Sequence, residues 1–257
     1  MNTFKELYQY RDMLFGLVRR DLRGRYKGSV LGFAWTFINP LLQLAVYTLV
    51  FSHVMRVNVE RYSIFLFVAL IPWIAMAGSV NGASVCITNQ ASMVTKIYFP
   101  RLILPLNVVT TNFINMLLCM IVVLAVCLFT VGLRLAVLWW LIPVFLIEYI
   151  LALGIAAIVS SVTVYLRDLE HFLGIFVLAW QFLSPVMYSA DMVPEEFRTL
   201  FNLNPMAPVI TACRDILYYK AAPQLLPLLG SLGFALVLLA FGLWLFRRLE
   251  RHFAEEL

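Results

Sequence analysis

The sequence predicts an all-α integral membrane protein with six transmembrane helices. An amphipathic helix at the membrane surface precedes them, and two short re-entrant helices lie between spans five and six. The chain is 63% hydrophobic and 13% charged, with a mean hydropathy of +0.90, whereas soluble chains hold about 45–50% apolar and about 25% charged residues. Six apolar runs approach the roughly 20 residues that cross a hydrocarbon core of about 30 Å. We therefore expect residues 1–257 to form one membrane domain without a soluble domain.

The first element, residues 1–30, is predicted to lie in the membrane surface, because one face of the helix is apolar and the other polar. It is either a basic anchor that sets topology or an interface helix that receives force from a cytoplasmic partner. Charges throughout, with no short apolar core before a small-residue cleavage site, argue against a cleaved signal peptide. The apolar face holds Phe4, Leu7, Tyr8, Phe15, Val18 and Leu22, and the polar face holds Lys5, Glu6, Gln9, Asp12, Arg19 and Arg20.

The six spans follow from hydropathy. Residues 33–188 hold spans one to five, and residues 225–246 hold span six. Lys and Arg residues near span ends stay in the cytoplasm, and thirteen of the nineteen fall on the side of the N-terminus. We therefore expect cytoplasmic N- and C-termini, with residues 247–257 as a cytoplasmic tail. The spans run approximately from Phe33 to Val54, Ile64 to Ile87, Leu104 to Leu133, Ala136 to Val164, Phe172 to Tyr188 and Leu225 to Phe246.

Two connections are longer than simple turns. The loop from Thr88 to Arg101 is polar at first and ends on a proline step, which fits either a short cytoplasmic helix or a solvated connector without a role. Residues 189–224 mix charged and apolar pieces, and Pro205 and Pro208 would break a helix there. We expect two short helices that dip into the outer leaflet, where protein or a water-filled cavity must cover such irregular backbone.

The sequence offers no framework for catalysis or metal binding. A membrane enzyme would need clustered acids, histidines or a nucleophile with a base near one membrane face, and the outer acids instead fit the solvated start of a helix. The cysteines form no C-x-x-C pair, and the histidines have no ligand-like spacing. We expect neither enzymatic activity nor a metal site. The residues concerned are Asp191, Glu195 and Glu196; Cys86, Cys119, Cys127 and Cys213; and His53, His171 and His252.

An ordered set of motifs resembles a known family of membrane subunits. Residues 20–42 read RDLRGRYKGSVLGFAWTFINPLL, and residues 47–52 read YTLVFS. They are followed by LIPW at 70–73, KIYFPRLILP at 96–105, YLRD at 165–168, NPM at 204–206 and RD at 214–215. This set resembles the permeases of polysaccharide ABC exporters, which export O-antigen or teichoic acid, and it covers nearly the whole chain.

The resemblance implies a half-transporter of the bacterial inner membrane. It would pair with a second copy of itself and bind two copies of a separate cytoplasmic ABC ATPase. ATP and Mg would bind that ATPase, so this chain needs no cofactor, and it contains no G-x-x-x-x-G-K-[ST] phosphate loop. We expect contact with membrane lipids and none with nucleic acid. The residues that would couple the chain to the ATPase are Asn89, Lys96, Tyr98, Phe99 and Arg101.

The implied cargo is a polysaccharide linked to undecaprenyl pyrophosphate, most naturally an O-antigen. Capsule, teichoic acid and a small molecule or drug remain the alternatives. Arg23, Arg25 and Lys27 stand before the first span, where they would bind either the pyrophosphate or ordinary lipid phosphates.

Aromatic residues are candidates for lining the passage, because sugar C–H faces lie well on aromatic rings. Membrane anchoring or packing is the competing interpretation for each of them, and Trp139 and Trp140 look like anchors of that kind. The candidates are Trp35, Tyr47, Trp73, Trp180 and Tyr188.

Among the polar residues inside predicted spans, three have a functional alternative. Glu148 is either a functional acid or a protonated, hydrogen-bonded side chain, and Gln43 and Gln181 either bond neighbouring helices or line a passage. A secondary transporter would show paired repeats and several ionisable residues inside the membrane. Only Glu148 clearly qualifies, so this alternative is disfavoured.

Overall fold

The computed structural model describes residues 3–24, 31–55 and 59–257, and within these ranges it contains helices and no strand. In chain order the helices are α1 (Thr3–Gln9), α2 (Arg11–Gly24), α3 (Trp35–Thr48), α4 (Tyr62–Val85), α5 (Ala91–Lys96), α6 (Ile103–Thr130), α7 (Leu135–Leu138), α8 (Leu141–Thr163), α9 (Leu169–Leu183), α10 (Arg198–Leu203), α11 (Ala207–Leu217), α12 (Leu225–Leu249) and α13 (Phe253–Glu256). A six-residue π-helix, Leu49–Val54, extends α3.

The N-terminal segment forms two helices where the sequence predicted one. A turn at Tyr10 separates α1 from α2, although backbone hydrogen bonds bridge the break. The predicted apolar face is divided as well. Val18 and the neighbouring Leu17 are buried against the bundle, whereas Tyr8 and Phe15 are exposed.

Five segments of the described chain are long and apolar enough to cross a membrane, and they match five of the six predicted spans. They are Gly32–Ser52, Tyr62–Val85, Ile103–Thr130, Leu135–Thr163 and Leu225–His252.

The remaining predicted span, from Phe172 to Tyr188, is helical over only part of its length. Helix α9 has 15 residues, which cover about 22 Å at 1.5 Å per residue. It ends at Leu183, and the backbone of the next residue, Ser184, is extended (ψ 146°), because the residue before a proline is pushed out of the helical region. Residues 184–188 continue as an irregular segment, largely buried, that carries the chain onward.

Two ends of the bundle are distinguished by the contacts between distant segments. At the first end, the Tyr165 hydroxyl donates to the Leu249 carbonyl at 2.8 Å. At the other end, the Tyr62 hydroxyl donates to the Met187 carbonyl at 2.7 Å. We call the end with the Tyr165–Leu249 contact the terminal end; it holds α2, α5 and α13. We call the end with the Tyr62–Met187 contact the distal end; it holds α7, α10 and α11.

Helices α8 and α12 cross at a point where only glycine fits. A Cβ at Gly242 would lie 2.6 Å from the Gly154 carbonyl oxygen, and a Cβ at Gly154 would lie 2.8 Å from the Leu239 nitrogen. Small residues allow backbones to approach in this way between membrane helices, where van der Waals packing takes the place of the hydrophobic effect. The two helices therefore form a closely packed unit.

Candidate functional site

A stripe of polar and aromatic side chains runs along α3. Trp35, Asn39, Gln43 and Tyr47 recur every four residues, which places them along one slowly turning face of the helix. Asn39 and Gln43 are exposed. An amide facing hydrocarbon would leave its hydrogen bonds unmade at a cost of several kcal/mol, so this face requires water or another polar surface. We call these four residues the α3 stripe.

Helix α9 approaches the α3 stripe at its far end. The Gln181 amide donates a long hydrogen bond of 3.5 Å to the Tyr47 hydroxyl. The neighbouring Trp180 packs edge-on against Trp73, with 5.4 Å between ring centroids. The structure therefore brings α3 and α9 together through residues that the sequence marked as lining or interhelical candidates.

The five aromatic candidates for the passage differ in exposure. Trp35, Tyr47, Trp180 and Tyr188 are partly exposed, whereas Trp73 is only 2% exposed. In this structure Trp73 lies inside the helix bundle and supports Trp180 from behind. Which of these side chains meets a substrate stays a prediction.

Asn204 is a hydrogen-bonding centre between α9 and the distal segment. Its amide oxygen accepts from the Trp180 indole nitrogen at 2.9 Å and from the Met206 backbone nitrogen at 3.0 Å. Its amide nitrogen donates to the Ser184 hydroxyl at 2.9 Å. Asn204, the residue before Pro205, thereby holds the connection between α10 and α11 against the end of α9.

Arg214 is a buried cation whose partners are backbone carbonyls. Its guanidinium donates to Val186 at 2.7 Å, to Tyr188 at 2.9 Å and to Phe65 at 3.2 Å, and it lies 3.5 Å from the centroid of the Phe65 ring. A planar guanidinium with several fixed donors suits such a site. It ties the irregular segment after α9 to α4 and α11 at once.

A cavity of about 530 Å³ opens at the distal end, between α10, α11 and α12. Asp215 and Gln224 are among its polar lining residues. Burial raises the pKa of the Asp215 carboxyl to about 6, and the nearby positive charge of Arg214 opposes that rise. The predicted outer segment therefore encloses a space with a titratable group.

The predicted headgroup residues are only partly described. Arg23 is exposed in the last turn of α2, while Arg25 and Lys27 lie outside the described residues. Close by, the Asn107 amide donates to the Asp21 carboxylate at 2.6 Å, which joins α2 to the start of α6. The structure thus supports the position of this helix beside the bundle but does not test the headgroup site.

The predicted coupling residues separate into two groups. Asn89, Lys96 and Tyr98 are exposed, with Tyr98 at 87%. Phe99 is 5% exposed, and the Arg101 guanidinium donates to the Glu250 carbonyl. The first group can meet a partner, and the second holds the loop on its own chain.

Phe253 is a residue of this region that the sequence reasoning missed. It is fully buried, and its ring packs against Tyr165 and Phe246, with the Arg101 guanidinium 5.9 Å from its centroid. Its only sequence signal is a lone aromatic in a tail that is otherwise mostly charged. It docks α13 beside α5 and so links the C-terminal tail to the coupling loop.

Glu148 lies on α8 and is buried. Neither carboxylate oxygen forms a hydrogen bond with any residue that the structure describes. Likewise, no group of three His, Cys, Asp or Glu residues that could hold a metal ion occurs in the described part of the chain. Whether Glu148 is a functional acid or a protonated side chain stays a prediction.

Comparisons with known proteins identify the family. Residues 13–218 match the ABC-2 type transporter family. The chain is 36% identical over 262 residues to the O-antigen export system permease protein RfbA of Myxococcus xanthus, with 98% of each chain covered. Two proteins of that name from Klebsiella pneumoniae are 34% and 33% identical, over 96% of this chain and 95% of theirs. The chain is thereby a multi-pass membrane protein and a permease subunit rather than an enzyme, and it belongs to the ABC-2 type transporter family.

Proposed function

We propose that this chain is the permease half of an ABC exporter that moves an O-antigen polysaccharide, carried on undecaprenyl pyrophosphate, from the cytoplasm across the bacterial inner membrane. The observation that carries the proposal is the likeness to three O-antigen export permeases, at 33–36% identity over nearly the full chain. Capsule, teichoic acid or a small molecule are the cargoes that the test must separate from it. ATP and Mg bind the partner ATPase.

In the proposed topology the terminal end faces the cytoplasm, in accordance with the excess of Lys and Arg predicted there. Helix α9, with residues 184–188, forms a sixth crossing, since this segment runs from the terminal end to the contact between Met187 and Tyr62. Helices α10 and α11 form the re-entrant pair. Their deepest point is supported by Ser231, in the second turn of α12, whose hydroxyl donates to the Pro205 carbonyl at 2.7 Å.

A second copy of the chain would complete the passage. Only 11% of the residues in the most apolar stretch of Gly32–Ser52, the segment that contains α3, are buried within this chain. The exposed amides of α3 require a polar environment. If two copies place their α3 stripes toward each other, the amides and aromatic rings surround a wet path of the kind a polysaccharide needs. Arg23, Arg25 and Lys27 would receive the anionic lipid headgroup at the entrance.

The exposed coupling residues are the proposed docking site of the ATPase. Tyr98→Ala removes an exposed ring, so we expect thermal stability within about 0.5 kcal/mol of wild type. Export should fall several-fold while the ATPase subunit still hydrolyses ATP. The measurement is ATP hydrolysis and polymer transport by the reconstituted complex.

The control variant is Phe99→Ala, which empties a buried site and should cost about 3–5 kcal/mol in the free energy of unfolding. A stable Tyr98→Ala variant with normal coupling would move the ATPase contact elsewhere.

The function itself is tested by deleting the gene in its native host and separating surface polysaccharide from intracellular, lipid-linked polysaccharide. We expect long polymer to accumulate inside on its lipid carrier, with none at the surface. Complementation with the wild-type gene should restore surface polymer. Normal surface polymer in the deletion strain would overturn the proposal and favour a small-molecule cargo.

A further inference from the structure

A small pocket lies between α3, α4 and α6, beside the α3 stripe. Its volume is about 120 Å³, enough for several water molecules. No charged side chain is among its described lining residues. The polar lining consists of Thr36, Asn39, Asn112 and Asn115, and Trp35 belongs to the apolar part of the wall.

The pocket forms where a proline interrupts the hydrogen bonding of α3. Pro40 has no backbone N–H, so the Thr36 carbonyl four residues earlier has no helical donor. The Cys119 thiol on α6 donates to that carbonyl instead, at 3.3 Å. The proline thus produces a polar recess inside an otherwise apolar group of helices.

Two polar groups in the pocket have no partner within the described part of the chain. They are the Thr36 hydroxyl, on a residue that is 6% exposed, and the Asn115 amide nitrogen. An unmade hydrogen bond on such a buried group is costly. The two residues belong to different helices and both line the pocket, so one occupant can contact both residues.

The chemistry of the lining selects the occupant. Amides and a hydroxyl donate and accept hydrogen bonds at once, which matches hydroxyl groups, whereas the lining residues that the structure describes include no cation for a phosphate or a carboxylate. The Trp35 ring supplies an apolar wall suited to a C–H face. Asn39 belongs both to this lining and to the α3 stripe, so the pocket opens beside the proposed passage.

We propose that this pocket is a subsite that binds a neutral, hydroxyl-bearing sugar unit through Thr36 and Asn115. The inference rests on the proposed export function for its physiological cargo, but it concerns a contact that can be measured without transport. Water alone is the competing occupant.

The test is saturation-transfer NMR on the permease–ATPase complex in lipid nanodiscs, with galactose, mannose, rhamnose and N-acetylglucosamine as probes. We expect saturation transfer to at least one of these sugars. The double variant Thr36→Val with Asn115→Leu should weaken that sugar's affinity roughly tenfold, because two hydrogen bonds are lost. Glucuronate should give a weaker signal than the neutral sugars.

The matched control is Thr130→Val on α6, the helix that carries Asn115. The Thr130 hydroxyl is exposed and, among the residues that the structure describes, donates to the Val126 carbonyl of its own helix. It should leave sugar binding unchanged. If the double variant fails to fold, Asn39→Leu at the exposed edge of the pocket tests the same contact and should also weaken binding. Equal binding by wild type and the pocket variants, or no contact with any probe, would overturn the subsite and leave water as its occupant.

The outcome is separable from that of the proposed function. If gene deletion traps polymer inside the cell but no probe binds, the export function stands and the subsite is wrong. If probes bind through the pocket but deletion leaves surface polymer normal, the subsite stands for a different sugar-bearing cargo.

Discussion

Helices α3 and α4 belong to consecutive membrane segments that differ strongly in burial. In the most apolar stretch of α4, 78% of the residues are buried, whereas in that of Gly32–Ser52, the segment that contains α3, only 11% are. The Ser79 hydroxyl of α4 is satisfied within its own helix, since it donates to the Ala75 carbonyl at 2.7 Å. The amides of the α3 stripe, Asn39 and Gln43, are exposed. The contrast separates two parts of the molecule. The first is a scaffold of closely packed helices, which includes α4, α8 and α12 and which this chain completes by itself. The second is the exposed face of α3, which needs water, substrate or a second copy.

The largest effect is expected within the scaffold. Gly242→Leu places a branched side chain where a Cβ alone would lie 2.6 Å from the Gly154 carbonyl oxygen, and that backbone cannot yield without separating α8 from α12. We expect a cost of more than about 4 kcal/mol and a protein that fails to accumulate as a monodisperse species. Thermal unfolding in detergent is the measurement.

The control for this prediction lies on the same helix. A Cβ at Gly233 would meet no atom within 4 Å, so Gly233→Leu should stay within about 0.5 kcal/mol of wild type. Equal effects of the two substitutions would mean that the crossing of α8 and α12 is not rigid.

An intermediate effect is expected where scaffold and distal segment meet. Asn204→Ala leaves the Trp180 indole and the Met206 backbone without their acceptor, which should cost about 1–3 kcal/mol. Hydrogen exchange should accelerate between residues 184 and 206 while α8 and α12 stay protected. Asn202→Ala, at an exposed position on α10, is the matched control. Uniform loss of protection would show that the distal segment unfolds together with the scaffold.

Hydropathy correctly predicted those features of the fold that depend directly on the membrane. Five spans agree, because the length of an apolar run is set by bilayer thickness and does not depend on neighbours. The early end of α9 was readable too, since Pro185 forces Ser184 out of the helical region. The effect of proline on the preceding residue was therefore available from the sequence, but the apolar run from Phe172 to Tyr188 led to the prediction of a longer helix.

Contacts between residues that lie far apart in the chain could not be predicted from the sequence. Arg214 bonds the Phe65 carbonyl across 149 residues, and Phe253 is buried by rings from other segments. Neither contact follows from spacing. For the same reason the sequence grouped Phe99 with Tyr98 as coupling residues, whereas the structure turns one inward and leaves the other exposed. Candidate sites were therefore found by motif, and their division into contact and support required the fold.

The smallest effect on stability, and the sharpest on function, is expected on α3. Gln43 is exposed, so Gln43→Leu should change the free energy of unfolding by less than about 0.5 kcal/mol. It removes a donor and an acceptor from the α3 stripe, so export measured as surface polymer should fall several-fold. Leu42→Met, also at an exposed position, conserves volume and polarity and should export normally. Wild-type export by Gln43→Leu would mean that this face meets lipid, and that the low burial of α3 reflects its position at the edge of the bundle rather than a passage.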